Sequence, residues 1–352
     1  MCVQIIGDSK AKLVAVGNLI GEKLPVASEL LSKARIRGGD TQAVVVAADL
    51  RDVNNISALK NLSDDLSHVS KRVFLIDHNS RLAIVQAYAL GATSVLTSPV
   101  TAQKLLKELL TPGMTVGDRP AETVLDSGQA AAAGAACIAS MFAAIVNGQP
   151  INLDQARNVG RDITNSISEH GLADWLATVR EHHEGTFQHC LLVTGVAVDF
   201  GLALGLKAPD VDRLSAAAMF HDIGKARIPL AVLDKPGRLD ADERAVIETH
   251  PVIGHEVLKS QQGVSQEILD AVRHHHEYLD GSGYPDKLGA SEIGDLVRML
   301  TISDIFAALI EYRSYKPTMP RETAYEILSD MSTKGKLEAP LVKAFREVAL
   351  TR

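Results

Sequence analysis

The stretch His221-Asp222-Ile223-Gly224-Lys225 decides how this chain reads. An imidazole and a carboxylate on adjacent positions are poor material for a core. They suit divalent cations well, because imidazole binds one ion and a carboxylate can bridge two. The pair is not isolated: of the twelve histidines, ten fall from His170 to His276. That concentration makes a metal-dependent hydrolase the leading expectation.

Working outward, helical phase tells which candidate ligands face inward. His189 shares an apolar stripe with Leu192, Val193 and Val196, spaced as on one face of a helix. His221 follows Leu214 by seven residues and Ala217 by four, and His250 follows Val246 by four and Ile247 by three. His275 and His276 follow Val272 by three and four, and Asp304 follows Leu300 by four and Val297 by seven. One inward histidine is usually a satisfied core residue. Six inward His and Asp positions on five helices are different, because buried polar groups are costly unless partnered. A shared metal centre partners them together, and Asp222 is a seventh candidate that can bridge. Other histidines fail the test: His274 and His255 fall off the inward faces, with His274 reading as solvated. His170 precedes Gly171 as at a helix end, and His182 and His183 read as a solvated face. Cys190 lies about 100° around the helix from His189 and reads as a small packed residue. Lys225 would share the face of His221 if the helix ran that far, but Gly224 suggests that it ends there.

A second stretch, His275-His276-Glu277-Tyr278-Leu279-Asp280-Gly281-Ser282-Gly283-Tyr284-Pro285, follows the same logic. Its glycines permit turns and close approach of a ligand that other residues forbid. Directly after two inward histidines, Gly283, Tyr284 and Pro285 read as a substrate wall.

The 352 residues suggest two or three domains. A hydrophobic content of 46% supplies a sizeable core, and 22% charged residues is ordinary for a soluble globular chain. Net charge is −7 with no basic run, which argues against a nucleic-acid polymer as partner. A small phosphate ester stays open, because bound cations reverse local charge. Cys2, Cys137 and Cys190 show no CxxC spacing, which fits a reducing cytoplasm, and no secretory start is evident. The alanine-rich run from Ala130 to Val146 falls short of the roughly 20 apolar residues of a membrane helix. No membrane insertion is expected; the run reads as a packed helix or, over residues 129–147, as a homodimer contact.

Residues 1–112 alternate short apolar runs with helical patterns, which predicts a parallel sheet covered on both faces. The strands are Val3 to Ile6, Ala43 to Ala47, Val73 to Ile76 and Ser94 to Leu96, with helices at Ser80 to Leu90 and Thr101 to Leu110 among them. Residues 113–150 read as a linker plus the alanine-rich helix, and 151–352 as helical almost throughout. The stretch Gly91 to Val100 resembles the close of a response-regulator receiver domain, a flavodoxin-like α/β fold. That family has lysine where Ser98 stands and paired acids where only Asp8 is present, while Asp49 falls near the phosphorylated aspartate. The resemblance implies a degenerate receiver, a sensor or docking module that is not phosphorylated in the usual way and meets a signalling partner.

The C-terminal motifs resemble the HD-GYP family more specifically. His221-Asp222 with Gly224-Lys225, His250-Pro251 with Gly254, His275-His276-Glu277 with Asp280-Gly281, and Gly283-Tyr284-Pro285 occur in its order, and Arg313, Tyr315 and Lys316 match a later segment. The resemblance implies an all-helical HD fold and a bacterial phosphodiesterase that hydrolyses cyclic di-GMP. It further implies linear pGpG as the first product and GMP as a later one, with attack by metal-activated hydroxide between two ions about 3.5–4 Å apart. By position, the ligands are His189, His221, Asp222, His250, His275, His276 and Asp304, with Asp222 bridging. The resemblance assigns the catalysis to Asp222 and Lys225, with Lys225 meeting the scissile phosphate, and the hold on the nucleotide to Tyr284, Arg313 and Lys316. Members with a third metal carry a glutamate where this chain has Gly185, with Glu184 one residue off register. Two ions, Fe or Mn, are therefore expected. The competing expectations are a cyclic-dinucleotide-binding adaptor with little turnover and an HD hydrolase of another cyclic dinucleotide.

Overall fold

Five short strands carry the N-terminal unit: β1 (Cys2–Gly7), β2 (Val26–Leu30), β3 (Thr41–Ala47), β4 (Lys71–Ile76) and β5 (Ser94–Thr97). The computed structural model describes residues 2–36, 41–62, 65–66, 68–77, 83, 86–87, 90–110, 124–182, 185–233, 235, 237–311 and 318–352. It divides into two units, Met1–Thr123 and Val124–Arg352. The strands pair in parallel in the order β2-β1-β3-β4-β5, the flavodoxin-like order of doubly wound sheets. Because side chains alternate along a strand, β1, β3 and β4 each feed two cores. Ile6, Val44, Val46 and Phe74 pack on one face with Leu59 and Leu66. Ile5, Val45 and Val73 pack on the other with Val16, Leu105 and Leu109. A strand buried on both sides reads as a continuous apolar run, which is why β1, β3 and β4 are visible in the sequence.

The sequence reading misses β2. This strand is bonded on one side only, to β1, and is nowhere fully buried, so Ser28 and Glu29 interrupt the apolar signal. The expected helix at Thr101 to Leu110 is Ala102–Leu110. The one at Ser80 to Leu90 falls largely outside the described residues.

The C-terminal unit is helical; among its described residues the one β pairing is an isolated bridge, Asp280 with Gly289. The alanine-rich run forms Ser127–Val146, which packs on Leu153–His170 and Gly185–Ala203. It lies within the second unit. By length and composition this helix could cross a membrane, yet Ala130, Ala131, Ala135, Ile138, Met141 and Phe142 are buried inside the unit. Their small neighbours let the helices approach closely.

The remaining helices place the candidate ligands. His189 lies inside Gly185–Ala203 and Asp304 inside Asp295–Ile310. His221 terminates Ala208–Phe220, and a 3-10 turn, Ile223–Arg227, follows. His250 opens His250–Lys259, just beyond Ala241–Ile247, and His275 terminates Gln266–His274.

Candidate metal centre

Helix ends explain how three of the histidines are aimed. The last carbonyls of a helix lack an amide partner. His221 Nδ1 takes Ala218 O at 2.6 Å, His250 Nδ1 takes Ile247 O at 2.7 Å, and His275 Nδ1 takes Val272 O at 2.8 Å. A carbonyl cannot donate, so each Nδ1 carries the proton and each Nε2 is left to face the centre. Such backbone anchoring is how metal-binding imidazoles are oriented.

The Nε2 atoms meet carboxylates and one another. His250 Nε2 lies 3.2 Å from His275 Nε2 and 3.1 Å from Asp222 Oδ1. Burial holds both imidazoles below their usual range, and for His275 the neighbouring His276 adds to this. Neutral rings with protons on Nδ1 have none to share here, so three electron-pair donors converge. Asp222 Oδ1 accordingly forms no proper hydrogen bond despite its short contact, and His221 Nε2 is buried without one. Unpaired buried polar atoms are expensive, and a cation is what this donor set fits.

A second group adjoins the first. His189 Nε2 lies 3.0 Å from Asp304 Oδ1 and 3.6 Å from Asp222 Oδ2, while His221 Nε2 lies 3.3 Å from Asp222 Oδ2 and 3.9 Å from Asp304 Oδ1. His189, His221 and Asp304 can converge on one ion, as can His250, His275 and His276. Asp222 faces both sets, with Oδ1 toward His250 and Oδ2 toward His221 and His189. Burial works against the charge on Asp222 and Asp304. Lys225 and His221 nonetheless hold the first carboxyl well below its usual range, and His189 and His276 do the same for the second. For His189 burial is outweighed by Asp304 and Glu311, and its pKa rises to about 10. His276, lowered to about 3 mainly by burial, keeps 24% of its side chain exposed and so forms the open edge of the centre.

Lys225 sits on the 3-10 turn with Nζ 2.5 Å from Asp222 Oδ2 and 19% of its side chain exposed. The helix has ended before it, as Gly224 suggested. A Cβ at Gly224 would lie 2.0 Å from His250 O and 2.6 Å from Gly254 N, so glycine lets the turn rest directly on the helix that starts at His250.

The loop after His276 is built on Glu277. Its buried carboxylate accepts the amides of Asp286 at 2.6 Å, Lys287 at 2.9 Å and Leu288 at 3.1 Å. Tyr284 stacks over His276 with centroids 4.7 Å apart, and Pro285 is half-buried beside it. Burial, with Asp304 and Asp222 nearby, raises the Tyr284 hydroxyl above its usual range, so it stays a donor. Gly283 lies at the base of the same loop. It is buried, and a Cβ there would lie 2.5 Å from Glu277 Cα and His276 O, so it is a spacer under the loop.

His274 also differs from expectation: instead of solvent it faces Asp286 Oδ2 at 2.9 Å, beside Arg273. Cys190 is buried, and His255 pairs with Glu256 at 3.0 Å. Arg313, Tyr315, Lys316, His183 and Glu184 lie outside the described residues. The sequence reading assigns no role to Glu311 or Glu277. Glu311 stands two helical turns beyond Asp304 and on the same face, a signal that was present.

The model of the HD domain family matches residues 170–340. The chain is 30% identical over 283 residues to the cyclic di-GMP phosphodiesterase PA4108 of Pseudomonas aeruginosa, covering 77% of this chain and 68% of that one. It is 40% identical over 139 residues to the cyclic di-GMP phosphodiesterase response regulator RpfG of Xanthomonas campestris pv. campestris, 39% of this chain and 36% of that one. It is 39% identical over 145 residues to the 3'3'-cGAMP-specific phosphodiesterase 2 of Vibrio cholerae, 41% of this chain and 27% of that one. The match thus spans about a third of the length of the second relative and about a quarter of the third. Among solved structures, Bd1817, an HD-GYP-type protein from Bdellovibrio bacteriovorus, shares the fold at a TM-score of 0.50 and 16% identity over 65% of this chain and 74% of that one.

Proposed function

The chain belongs to the HD-domain family and, by its HD and GYP motifs, to the HD-GYP group within it; from that premise we propose that it is a phosphodiesterase that hydrolyses cyclic di-GMP to linear pGpG, and onward to GMP. The observation that carries this reading is Asp222, whose two oxygens face separate groups of buried imidazoles while Lys225 closes over it at 2.5 Å. Two divalent ions, Fe or Mn, would be held by His189, His221 and Asp304 on one side and by His250, His275 and His276 on the other, with Asp222 common to both. Bound there, they would supply a nucleophile at neutral pH and neutralise phosphoryl oxygens. Lys225 offers its ammonium to the phosphate at the mouth of the centre. Tyr284, braced on His276, offers a ring face to a guanine and a hydroxyl to donate, and Arg313 and Lys316 hold the nucleotide. The three cysteines are free thiols, in keeping with a cytoplasmic protein.

Incubation of the chain with cyclic di-GMP and Mn²⁺ or Fe²⁺ under anaerobic conditions is expected to yield pGpG within a steady-state assay. Tight binding of cyclic di-GMP without pGpG would leave a nucleotide-binding adaptor instead. Because relatives named as 3'3'-cGAMP-specific phosphodiesterases match this chain too, the same assay with that dinucleotide sets the order of preference. Faster turnover of 3'3'-cGAMP would overturn the substrate assignment but not the reaction class.

For the N-terminal unit we propose a degenerate receiver that works by docking a signalling partner rather than by phosphorylation. Asp8, Asp49 and Asp77 gather at the carboxyl ends of β1, β3 and β4, the ligand edge of such a sheet, but each carboxylate already has a cation beside it. Lys12 Nζ lies 3.0 Å from Asp8 and 2.8 Å from Asp77, and Arg51 grips Asp49 at 2.7 Å. Asp8 Oδ2 also accepts the amide of Asp49 at 2.7 Å. With an ammonium where a divalent cation would be needed, acetyl phosphate and Mg²⁺ are expected to leave the chain unmodified by mass. Lys12→Ala is expected to gain a Mg²⁺-dependent rise in melting temperature. Stoichiometric phosphorylation of the native chain would refute the proposal.

A further inference from the structure

His189 differs from the other deeply buried histidines in where it sits. His221, His250 and His275 lie at helix ends, and each Nδ1 proton is taken by a carbonyl three residues back. His189 lies within Gly185–Ala203, where the carbonyls are already engaged by the helix's own amides. No local acceptor is therefore left for it, and its Nδ1 is buried without a hydrogen bond. What faces that atom is Glu311 Oε2 at 3.6 Å, with both side chains at or below 10% exposure. Glu311 comes from another element, immediately after Asp295–Ile310.

We propose that Glu311 is a positioning residue that holds the His189 ring by Nδ1, so that its Nε2 stays aimed at the centre; this rests on the reading of His189 as a metal ligand. A neutral imidazole has one proton. If Nε2 is given to a cation, the proton sits on Nδ1, and a buried N–H needs an acceptor. Glu311 is a few tenths of an ångström beyond a normal hydrogen bond, which a small rotation of the ring closes. Without it, the competing tautomer places the proton on Nε2, where Asp304 Oδ1 waits at 3.0 Å and the ligand atom is blocked. Glu311 thus does from a neighbouring element what the backbone carbonyls do for the other three.

The test is calorimetric titration of Mn²⁺ into the native chain, Glu311→Ala and Glu311→Gln, together with pGpG formation across Mn²⁺ concentrations. Outer-shell partners of ligating histidines are worth about 10–100-fold in metal affinity. Glu311→Ala is expected to lose about that much, with the same number of ions bound at saturation and with turnover recovering as Mn²⁺ is raised. Glu311→Gln keeps a carbonyl acceptor of the same shape and is expected to regain part of the affinity. His189→Ala has no such recovery. Native-like Mn²⁺ affinity in Glu311→Ala overturns the proposal alone, as does an ion lost even at saturating Mn²⁺, which would make Glu311 a ligand. A native chain that binds no Mn²⁺ overturns it together with the metal-centre reading, whereas one that binds Mn²⁺ without hydrolysing cyclic di-GMP overturns only the assigned activity.

Discussion

Replacing Asp222 by alanine is expected to abolish both Mn²⁺ binding and pGpG formation. Asp222 meets both imidazole groups at short range, His250 at 3.1 Å and His221 at 3.3 Å, whereas Asp304 lies 3.0 Å from His189 but 3.6 Å from His276. Loss of Asp222 removes a donor from each set at once. It also frees Lys225, whose ammonium would otherwise be held at 2.5 Å over the centre. Losing a single preorganised electrostatic group typically costs about 10²–10³ in rate, so losing a shared ligand and its partner should exceed that. The fold should survive, because the buried groups left behind have outlets. The Lys225 side chain is 19% exposed and can turn to water, and His221, His250 and His275 keep their backbone anchors. Asp222→Asn separates charge from shape: it preserves the volume and is still expected to lose Mn²⁺ affinity. Calorimetry with Mn²⁺ and chromatography of the reaction products decide the matter. Turnover retained in either variant would remove Asp222 from the centre.

The same contacts show why so much of the centre is legible in sequence. Helical phase puts His250 three residues after Ile247 and His275 three after Val272, and those offsets are also the hydrogen bonds that aim them; His221, placed by Leu214 and Ala217, is anchored one residue further on, at Ala218. Periodicity and anchoring are one geometry, so a reading of faces finds the ligands. It fails where partners come from distant elements. Glu277 looks like part of a motif, but its work is done nine to eleven residues away, on the amides of Asp286 to Leu288. His274 faces off the apolar stripe and still finds a carboxylate, because the loop returns Asp286 to it. Glu311 lies on the expected face, but its partner His189 is over a hundred residues earlier. In the N-terminal unit the same limit hides β2, whose one-sided pairing leaves no buried run to recognise. Lys12, set on the helix after β1, shows its meaning only once β4 brings Asp77 beside it.

The substitution Gly224→Ala is expected to do nearly as much damage as loss of Asp222, although it adds one methyl group and removes no ligand. The added carbon would fall 2.0 Å from His250 O, 2.6 Å from Gly254 N and 2.9 Å from His250 C. All three are backbone atoms, and none can swing aside as a side-chain tip would. The 3-10 turn must therefore part from the helix beginning at His250 until ordinary contact distance is restored. That separation acts across the centre: His221 and Asp222 precede the turn, His250 opens the facing helix, and Asp222 now meets His250 at 3.1 Å. A misplacement on the order of 1 Å can cost about 10²-fold in rate, and overpacking of this kind costs about 1–3 kcal/mol in stability. Both losses are expected together, as a lowered melting temperature and pGpG formation slowed by about 10²-fold, with weakened Mn²⁺ binding beside them. Gly254→Ala is the control on the other side of the same contact. Its added carbon would meet Val272 Cγ1 at 3.0 Å and Gly224 N at 3.3 Å, and the valine can yield. The smaller change is therefore expected at residue 254. Native-like Mn²⁺ binding by Gly224→Ala would mean that the turn and the helix move independently, and that the spacing between Asp222 and His250 is set elsewhere.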